Sequence, residues 1–517
     1  MKTLREYIRS NKSFYKKKAF QDDKKIILFL VSKDIYFSSL TMKFSKALSD
    51  EAGKDLVVVP NLNLPRKTKK LISSFFPSKI LNFKFLLVKS FIKNFTTILK
   101  INNNLSNGED LLNLKIKKMN IGKHLYDYLL AKFNLVTLEK LNLNHRVSIF
   151  LDLLYFFSCT KLLSVYQDPI LILPDNVYRH GAIFEYAKKN RIECFAGLSM
   201  TEFTIHRYDD EKSYEDHCRT PSNELVENLV NNPQILKEAK KYLSKRISGF
   251  GFQHDTVRAF SSNKKELSKD ELIGTLNLNF DKPIVLVAAH IFKDAPHGLP
   301  NLLFNDFSVW LKQTCKELIK NTKINFIVKE HPTSELYNES GQISKILEEI
   351  NMREKLLSND VKTSSLFNSV DYIVTCGGTA AMEFAYYGVP SLLASKPPYS
   401  DFGFTINSKT ANEYFEKIKN IHRFKKLSLD ERNRALILLY LFSELQKSDN
   451  LEKIIGTQKI YMGIKPDINK FLLEMIEDNF TELGHEALKK NLKFYLNQEE
   501  RNLMNNNLIQ TMQIKKV

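Results

Sequence analysis

A lysine and a histidine stand close together in the second half of the chain, in the tetrapeptide Lys-Glu-His-Pro at residues 329–332. The tetrapeptide directly follows residues 324–328, an apolar run that is typical of a buried strand. Ligands of parallel α/β sheets bind outside the carboxyl ends of the strands. A cation and an imidazole at such an end suit the phosphate or the ribose of a nucleotide, so we predict that Lys329 and His331 contact one. The alternative for a single histidine at a strand end is a structural role.

A second motif, Gly377-Gly378-Thr379, comes one residue after the apolar run 372–375. Two glycines let the backbone approach a ligand closely, and a helix that begins near Thr379 would direct free N–H groups toward an anion. Glu383, one turn into that helix, would accept hydrogen bonds from ribose hydroxyls. The alternative is a capping box, but Thr379 and Glu383 are four residues apart and a capping box has a spacing of three. We therefore predict that these four residues bind a nucleotide.

Two further histidines, His290 and His297, follow the apolar run 284–289. Together with Asp294 they are expected to lie at the edge of the cleft that holds the nucleotide. A basic group there would stabilise a leaving phosphate without a metal ion. No Asp-x-Asp pair accompanies the motif, and we expect no metal site.

The first half of the chain offers candidates for acid–base chemistry. Asp175 and His180 follow the apolar run 169–174, and either side chain can take the proton of an acceptor hydroxyl, as an inverting group transfer requires. Arg179, which lies between them in the sequence, is a candidate for a cation in the cleft. The next choices are Asp34 and Glu185, and Tyr126 and Asp127 are candidates for contact with the substrate. The alternative for each of these residues is a role in a turn or a helix cap.

The elements that must position these side chains form two α/β segments. Continuous apolar runs, which indicate strands buried on both faces, occur at 24–31, 55–59, 169–174 and 191–195, and again at 284–289, 324–328, 372–375 and 391–394. With helices between them, they predict an α/β fold of two Rossmann-like domains that face a cleft, followed by C-terminal helices. We place an N-terminal Rossmann-like domain with a helical, basic insertion at 1–270, a C-terminal Rossmann-like domain at 271–410 and a helical region at 411–517.

The two motifs of the second half also carry a resemblance. Lys-Glu-His-Pro at 329–332, followed by Gly378-Thr379-x-x-x-Glu383 and Gly388-x-Pro390, is similar to the donor half of bacterial capsular polysaccharide biosynthesis glycosyltransferases. These enzymes have the GT-B architecture and include Kdo-transferring capsule enzymes. Residues 289–311 and 121–127 also look like a subgroup of them, and the good match covers roughly 280–410.

The resemblance implies that 1–270 is the acceptor-side domain and that 271–410 is the nucleotide-sugar-binding domain. It also implies a role for individual residues and a class of reaction. His331, Thr379 and Glu383 would bind the nucleotide of a nucleotide-sugar donor, which is a substrate, so no resident cofactor is expected. The sugar would pass to a lipid-linked or polysaccharide acceptor in a capsular or lipopolysaccharide-type surface glycan. GT-B enzymes generally need no metal for catalysis.

Three other functions compete with sugar transfer. A phosphotransferase with a CDP-glycerol or CDP-ribitol donor would use the same motifs, which teichoic-acid enzymes share more loosely. A sugar-nucleotide 2-epimerase also has two Rossmann domains. The net charge of +19 suggests a nucleic-acid-binding protein, but the sequence contains no recognised DNA- or RNA-binding module, so no nucleic acid partner is expected.

Composition and charge predict where the protein works. The five cysteines are far apart and form no Cys-x-x-Cys pair, as expected in a reducing cytoplasm. Neither a secretory signal nor an apolar run of membrane-spanning length is present in the sequence. The Lys- and Phe-rich segment 66–100 is compatible with peripheral binding to an anionic inner membrane surface. The alternative is a helix packed on the core with a solvated lysine face.

Overall fold

The computed structural model describes residues 2–16, 25–30, 34–60, 64–197, 205–215, 220–249, 254–445, 467–481 and 484–497. The chain divides into two compact units. The first unit consists of Met1–Leu125, Lys140–Arg219 and Ser443–Val517, and the second of Tyr126–Glu139 and Thr220–Phe442.

The first unit is built on a six-stranded sheet of order β3-β2-β1-β4-β5-β6, in which only β6 is antiparallel to its neighbour. Alternate residues of β1 enter cores on opposite faces: Ile26 and Leu28 pack on one side and Ile27 on the other. This explains why the strand is apolar after Lys25. The elements of this part of the chain are α1 (Lys2–Phe14), β1 (Lys25–Leu30), α2 (Ile35–Ala52), β2 (Asp55–Pro60), α3 (Arg66–Ser73), β3 (Lys79–Ile80), α4 (Phe83–Asn103), α5 (Gly108–Leu112), α6 (Ile121–Phe133), α7 (Leu143–Leu163), β4 (Ile170–Ile172), α8 (Tyr178–Asn190), β5 (Cys194–Ala196), β6 (His206–Tyr208) and α9 (Glu211–Glu215).

The second unit has a six-stranded parallel sheet of order β12-β11-β10-β7-β8-β9. Its central strand β7 also serves two cores, with Val285 and Val287 on one face and Ile284 and Leu286 on the other. The remaining elements are α10 (Asn223–Val230), α11 (Pro233–Ile247), α12 (His254–Ala259), α13 (Lys269–Thr275), β7 (Ile284–Ala288), α14 (Phe307–Leu318), β8 (Asn325–Lys329), α15 (Gln342–Glu349), β9 (Leu356–Leu357), β10 (Tyr372–Thr375), α16 (Ala380–Tyr386), β11 (Ser391–Leu393), β12 (Thr405–Ile406), α17 (Ala411–Lys419), α18 (Leu429–Tyr440), α19 (Ile468–Phe480) and α20 (His485–Leu496).

The predicted fold class, α/β with two Rossmann-like domains and C-terminal helices, is confirmed. A strand occurs in each of the eight predicted runs, although Lys24 and Val31 of the first run lie outside the described residues. Four strands were not predicted: β3, β6, β9 and β12. Each has only two or three residues, too few to show a period in the sequence.

The division into units does not coincide with the predicted boundaries at residues 270 and 410. Helices α10 and α11 pack against α18 in the second unit, whereas α19 packs against α1 and α20 against α2 in the first. Asn479 of α19 donates to Asn11 of α1 at 3.0 Å, and Asp478 pairs with Lys43 of α2. The amphipathic pattern of a helix indicates that one face is buried but does not indicate which sheet covers it.

The basic segment 66–100 folds as α3, β3 and α4, and not as one helix. Among the described residues, no helix is both long enough and apolar enough to cross a bilayer.

Candidate active site

A cavity in the second unit lies at the carboxyl ends of β7, β8 and β10, and α11, α12 and α16 complete its wall. Its empty volume is about 660 Å³, open solvent at the mouth included. His290 lines it, as do five of the six residues predicted to bind the nucleotide: Lys329, His331, Gly378, Thr379 and Glu383. The order of strands in the sheet thus brings the two sequence motifs together.

His331 presents a neutral ring to this cavity. Its Nδ1 accepts a hydrogen bond from the backbone N–H of Thr333 at 3.3 Å and lies 2.9 Å from the Thr333 hydroxyl. Burial lowers the pKa of His331, although the carboxylate of Asp255 opposes that effect. A neutral ring that accepts at Nδ1 carries its proton on Nε2. His331 therefore offers one N–H donor, at Nε2, to a ligand.

His290 organises the glycine turn beside it. Its Nε2 accepts from the backbone N–H groups of Cys376 and Gly377 at 3.2 and 3.4 Å and lies 2.9 Å from the Thr375 hydroxyl. The ring stacks on Phe307, with 4.6 Å between centroids. Burial, and then the neighbouring His331, lower the pKa of His290 to about 3. This histidine is a neutral positioning group near pH 7.

The turn between β10 and α16 brings backbone amides to the cavity. A Cβ on Gly378 would lie 3.5 Å from Cε1 of His290, so the backbone runs close to that ring. The Tyr399 hydroxyl donates to the Gly378 carbonyl at 2.7 Å and fixes the turn from the other side. Within the described part of the chain, the N–H groups of Gly378 and Thr379 donate no hydrogen bond, so both can serve an anionic ligand.

Gly377 and Thr379 differ in their surroundings. A Cβ on Gly377 would lie 3.1 Å from Oγ of Ser395 and 3.2 Å from Cδ2 of Leu299, so this glycine packs closely against side chains of the protein. Thr379 is exposed, and its side chain makes no capping hydrogen bond although it stands at the start of α16. Helix α16 has only seven residues, so an anion here would meet local amides and a hydroxyl and not a long helix dipole.

Lys329 lines the cavity but has a partner inside the protein. Its Nζ donates to the Val361 carbonyl at 2.8 Å, and the residue is 5% exposed. Burial, and then the nearby Lys264, lower the pKa of Lys329 to about 7. Nζ of Lys329 therefore holds the loop after β9, and its contact with a nucleotide stays a prediction.

Glu383 forms a buried ion pair with Arg246, a residue that no motif in the sequence indicated. Oε1 of Glu383 accepts from Nε of Arg246 at 2.8 Å, and the two side chains are 6% and 3% exposed. Arg246 also donates to the Tyr242 hydroxyl at 3.1 Å. Glu383 is therefore no capping-box residue. Arg246 lies 137 residues away in sequence, in a region without a recognisable motif, so no sequence signal pointed to it.

The buried histidines give the second unit a predictable response to acid. An unfolded histidine titrates near pKa 6.5, whereas the pKa of His290 in the folded protein is about 3. Between these values the unfolded chain binds a proton that the folded chain excludes, so stability falls as the pH drops below about 6.5. At pH 5 we expect this effect of His290 alone to lower the free energy of unfolding by about 2 kcal/mol relative to pH 8.

Urea unfolding of the parent protein and of His290→Gln between pH 8 and pH 5 measures this effect. The glutamine oxygen can still accept from the turn amides, so the variant should fold and lose less stability on acidification. An identical pH dependence in both proteins would contradict the expectation.

His297 pairs with Asp127 outside the lining of the cavity. Its Nδ1 lies 2.6 Å from Oδ1 of Asp127, and its backbone N–H donates to Oδ2 at 3.1 Å. Tyr126 donates its hydroxyl to Asp306, the N-cap of α14, at 2.7 Å. Asp127 is fully buried and Tyr126 nearly so. These contacts tie the part of α6 that belongs to the second unit to the loop after β7, which also holds Asp294.

Asp175 and His180 lie in the first unit, at the carboxyl end of β4, and they contact each other. His180 Nδ1 is 3.2 Å from Oδ2 of Asp175, and Oδ1 of Asp175 accepts from the backbone N–H of Val177 at 3.3 Å. The Asp175 side chain is 39% exposed, whereas that of His180 is 5% exposed. Tyr178, between them, has φ +49°, a conformation that costs a non-glycine residue energy and is common at functional sites. The accessible group of the pair is the carboxylate.

The other candidates of the first unit are held by the protein. Arg179 contacts the buried Asp152 of α7, with Nε and Oδ1 2.5 Å apart. Burial raises the pKa of Glu185, but a hydrogen bond from His124 and the charge of Lys123 outweigh it and lower the pKa to about 2.

Asp34 caps α2, since its Oδ1 accepts from the Tyr36 N–H at 2.7 Å. The residues between β1 and Asp34, 31–33, lie outside the described residues. Asp34 therefore has the capping role that was its alternative.

No group of three or more His, Cys, Asp or Glu side chains with metal-binding geometry occurs within the residues that the structure describes.

Solved structures similar to this chain include KpsC from Thermosulfurimonas dismutans, a β-Kdo 2,7-transferase, at 13% identity and a TM-score of 0.30, with 63% of this chain and 88% of that chain covered. The MnaA–UDP co-structure from S. aureus has 11% identity and a TM-score of 0.26, with 85% and 97% covered. UDP-GlcNAc 2-epimerase from Neisseria meningitidis, bound to UDP-GlcNAc, has 11% identity and a TM-score of 0.21, with 81% and 99% covered. These values are too low to carry a function to this chain. No protein-family model matches it, and no curated protein matches it in sequence.

Proposed function

We propose that the protein is a glycosyltransferase that moves a sugar from a nucleotide-sugar donor to a capsular or lipopolysaccharide-type surface glycan. The observation that carries the proposal is the cavity of the second unit, where His331, the Gly378–Thr379 turn and Glu383 meet at the ends of parallel strands. Such strand ends are the usual nucleotide sites of α/β sheets. The donor is a substrate on this proposal, and no resident cofactor or metal takes part.

The chemistry of the cavity suits the phosphate of a nucleotide. Nε2–H of His331, the amides of Gly378 and Thr379 and the Thr379 hydroxyl are neutral donors that can bind phosphate oxygens. Fixed donors stabilise the charge that develops on the phosphate as the glycosidic bond breaks. Glu383, held by Arg246 through Oε1, keeps acceptor capacity at Oε2 for a ribose hydroxyl.

Asp175 is the proposed general base of the transfer, with His180 as the residue that positions it. The acceptor hydroxyl oxygen attacks the anomeric carbon, and the bond from that carbon to the phosphate oxygen breaks. The nucleotide leaves with the electron pair of that bond, and the hydroxyl proton passes to the Asp175 carboxylate. A transfer that inverts the anomeric carbon needs such a base.

His331→Asn is expected to weaken donor binding by about 10- to 100-fold, as the loss of one hydrogen bond to a charged group costs roughly 1.5–3 kcal/mol. The asparagine oxygen can replace Nδ1 as the acceptor for Thr333, so the melting temperature should change little. Binding is measured by thermal shift with CMP-, UDP-, GDP- and CDP-activated donors. His422→Asn, outside the cavity, is the control. An unchanged affinity in His331→Asn would remove this histidine from the donor site.

The same donor panel separates sugar transfer from its two enzymatic alternatives. Turnover of CDP-glycerol or CDP-ribitol with transfer of the phosphate would assign a phosphotransferase. Inversion at C2 of a UDP-sugar without an acceptor would assign an epimerase. Sugar transfer requires acceptor-dependent release of the nucleotide together with a glycosylated lipid-linked or polysaccharide product.

A further inference from the structure

Helices α4 and α7 of the first unit pack against each other in an antiparallel pair. At one end the rings of Phe83 and Tyr155 are 5.3 Å apart. At the other end Asn102 donates to the Arg146 carbonyl at 2.9 Å, and the Arg146 guanidinium donates back to the Asn102 carbonyl at 2.8 Å. The pair therefore presents a shared outer surface.

Large apolar side chains cover that surface, which we call the α4–α7 face. Its exposed members, between 38% and 76% exposed, are Phe85, Val88, Phe91, Ile92 and Phe95 of α4 with Leu143, Val147 and Leu151 of α7. Phe150 of α7 connects the apolar side chains of the two helices, because its ring centroid is 6.2 Å from that of Phe91 and 5.8 Å from that of Phe95 of α4. Contiguous apolar patches of this kind mark sites of interaction with a protein or a membrane.

The charge beside this apolar surface is positive. Lys89, Lys93 and Lys100 recur along one side of α4 and are exposed, as is Lys84. The ammonium group of Lys89 lies 4.5 Å from the ring centroid of Phe85. Helix α4 contains no Asp or Glu. The acid of α7, Asp152, is buried and paired with Arg179. The face is thus apolar and basic without an exposed acid on either helix.

We propose that the α4–α7 face binds the surface of an anionic lipid bilayer. The apolar side chains would enter the region between the headgroups, while the lysines would extend to the lipid phosphates. A second copy of this chain is a poorer partner, because pairing the face with itself would bring two equal sets of lysines together. The proposal does not depend on the transfer reaction.

Co-sedimentation of the full chain with vesicles tests the electrostatic part. We expect binding to vesicles of equal parts phosphatidylglycerol and phosphatidylcholine that weakens as salt rises, and little binding to phosphatidylcholine alone. The triple variant K84Q/K89Q/K93Q should bind the anionic vesicles about 100-fold more weakly, roughly fivefold for each lysine. The matched control K237Q/K240Q/K241Q removes three exposed lysines of α11 in the other unit and should bind like the parent.

A second pair of variants tests the apolar part. Phe85→Ser with Ile92→Ser removes side chains that are 58% and 76% exposed, so the fold should persist, and we expect at least tenfold weaker binding at low salt. Phe280→Ser, at a 70% exposed phenylalanine of the second unit, is the matched control. The proposal is overturned by absent binding, by equal binding to neutral vesicles, or by face variants that bind like the parent. A dimer that the Phe85/Ile92 variant dissociates, with no vesicle binding, would instead assign the face to a second copy.

Discussion

Asp175→Asn is expected to lower turnover by about 10²–10⁴-fold while the affinity for the donor stays unchanged. The asparagine amide has nearly the same size and can still accept the Val177 N–H, but it cannot take a proton. A loss confined to turnover is therefore the signature of a base. Single-turnover rates with saturating donor measure the effect, and thermal shift measures donor affinity.

Two companion variants make this result interpretable. Asp34→Asn changes an aspartate whose contact is the cap of α2, and since asparagine caps a helix equally well, turnover should persist. His180→Gln should reduce turnover less than Asp175→Asn, because the carboxylate would remain but lose the ring that orients it. If Asp175→Asn kept its turnover and lost only about 1 kcal/mol of stability, Asp175 would be a turn-capping residue, and the base would have to be sought elsewhere.

Glu383→Gln is expected to destabilise the second unit by about 3–5 kcal/mol, because it leaves the Arg246 guanidinium buried without its counter-charge. Both side chains are less than a tenth exposed, and the 2.8 Å contact joins α16 to α11. The neutral amide of the glutamine does not supply the lost negative charge to a guanidinium that is so little exposed. Urea unfolding at pH 7 measures the free energy of the parent and the variant.

A double-mutant cycle separates the charge effect from a simple loss of packing. Arg246→Met combined with Glu383→Leu removes both charges and should be more stable than either single substitution. Glu335→Gln is the matched control, because Glu335 pairs with Arg258 at 3.1 Å but is 77% exposed, so the expected cost is below about 1 kcal/mol. An equal loss of unfolding free energy in Glu383→Gln and Glu335→Gln would show that burial does not strengthen the Arg246–Glu383 pair.

The sequence by itself determined the central strands of both sheets and five of the residues that line the cavity of the second unit. A strand buried on both faces is apolar along most of its length, as 284–288 is, so each central strand left a run that the sequence could show. The carboxyl ends of parallel strands share one edge of a sheet. Residues that follow such strands must therefore lie close together at that edge. His290, His331 and Gly378 do so, and they line one cavity.

Tertiary structure alone decided which atoms of these residues remain available. His331 offers Nε2 because Thr333 occupies Nδ1, Lys329 is held by Val361, and Glu383 is held by Arg246. It also decided that α19 and α20 pack with the first unit. These contacts join elements that no repeat or spacing relates, such as Arg246 and Glu383, 137 residues apart. Periodicity records which side of an element is buried, whereas partners across the core are selected by packing and by the need to pair every buried polar group.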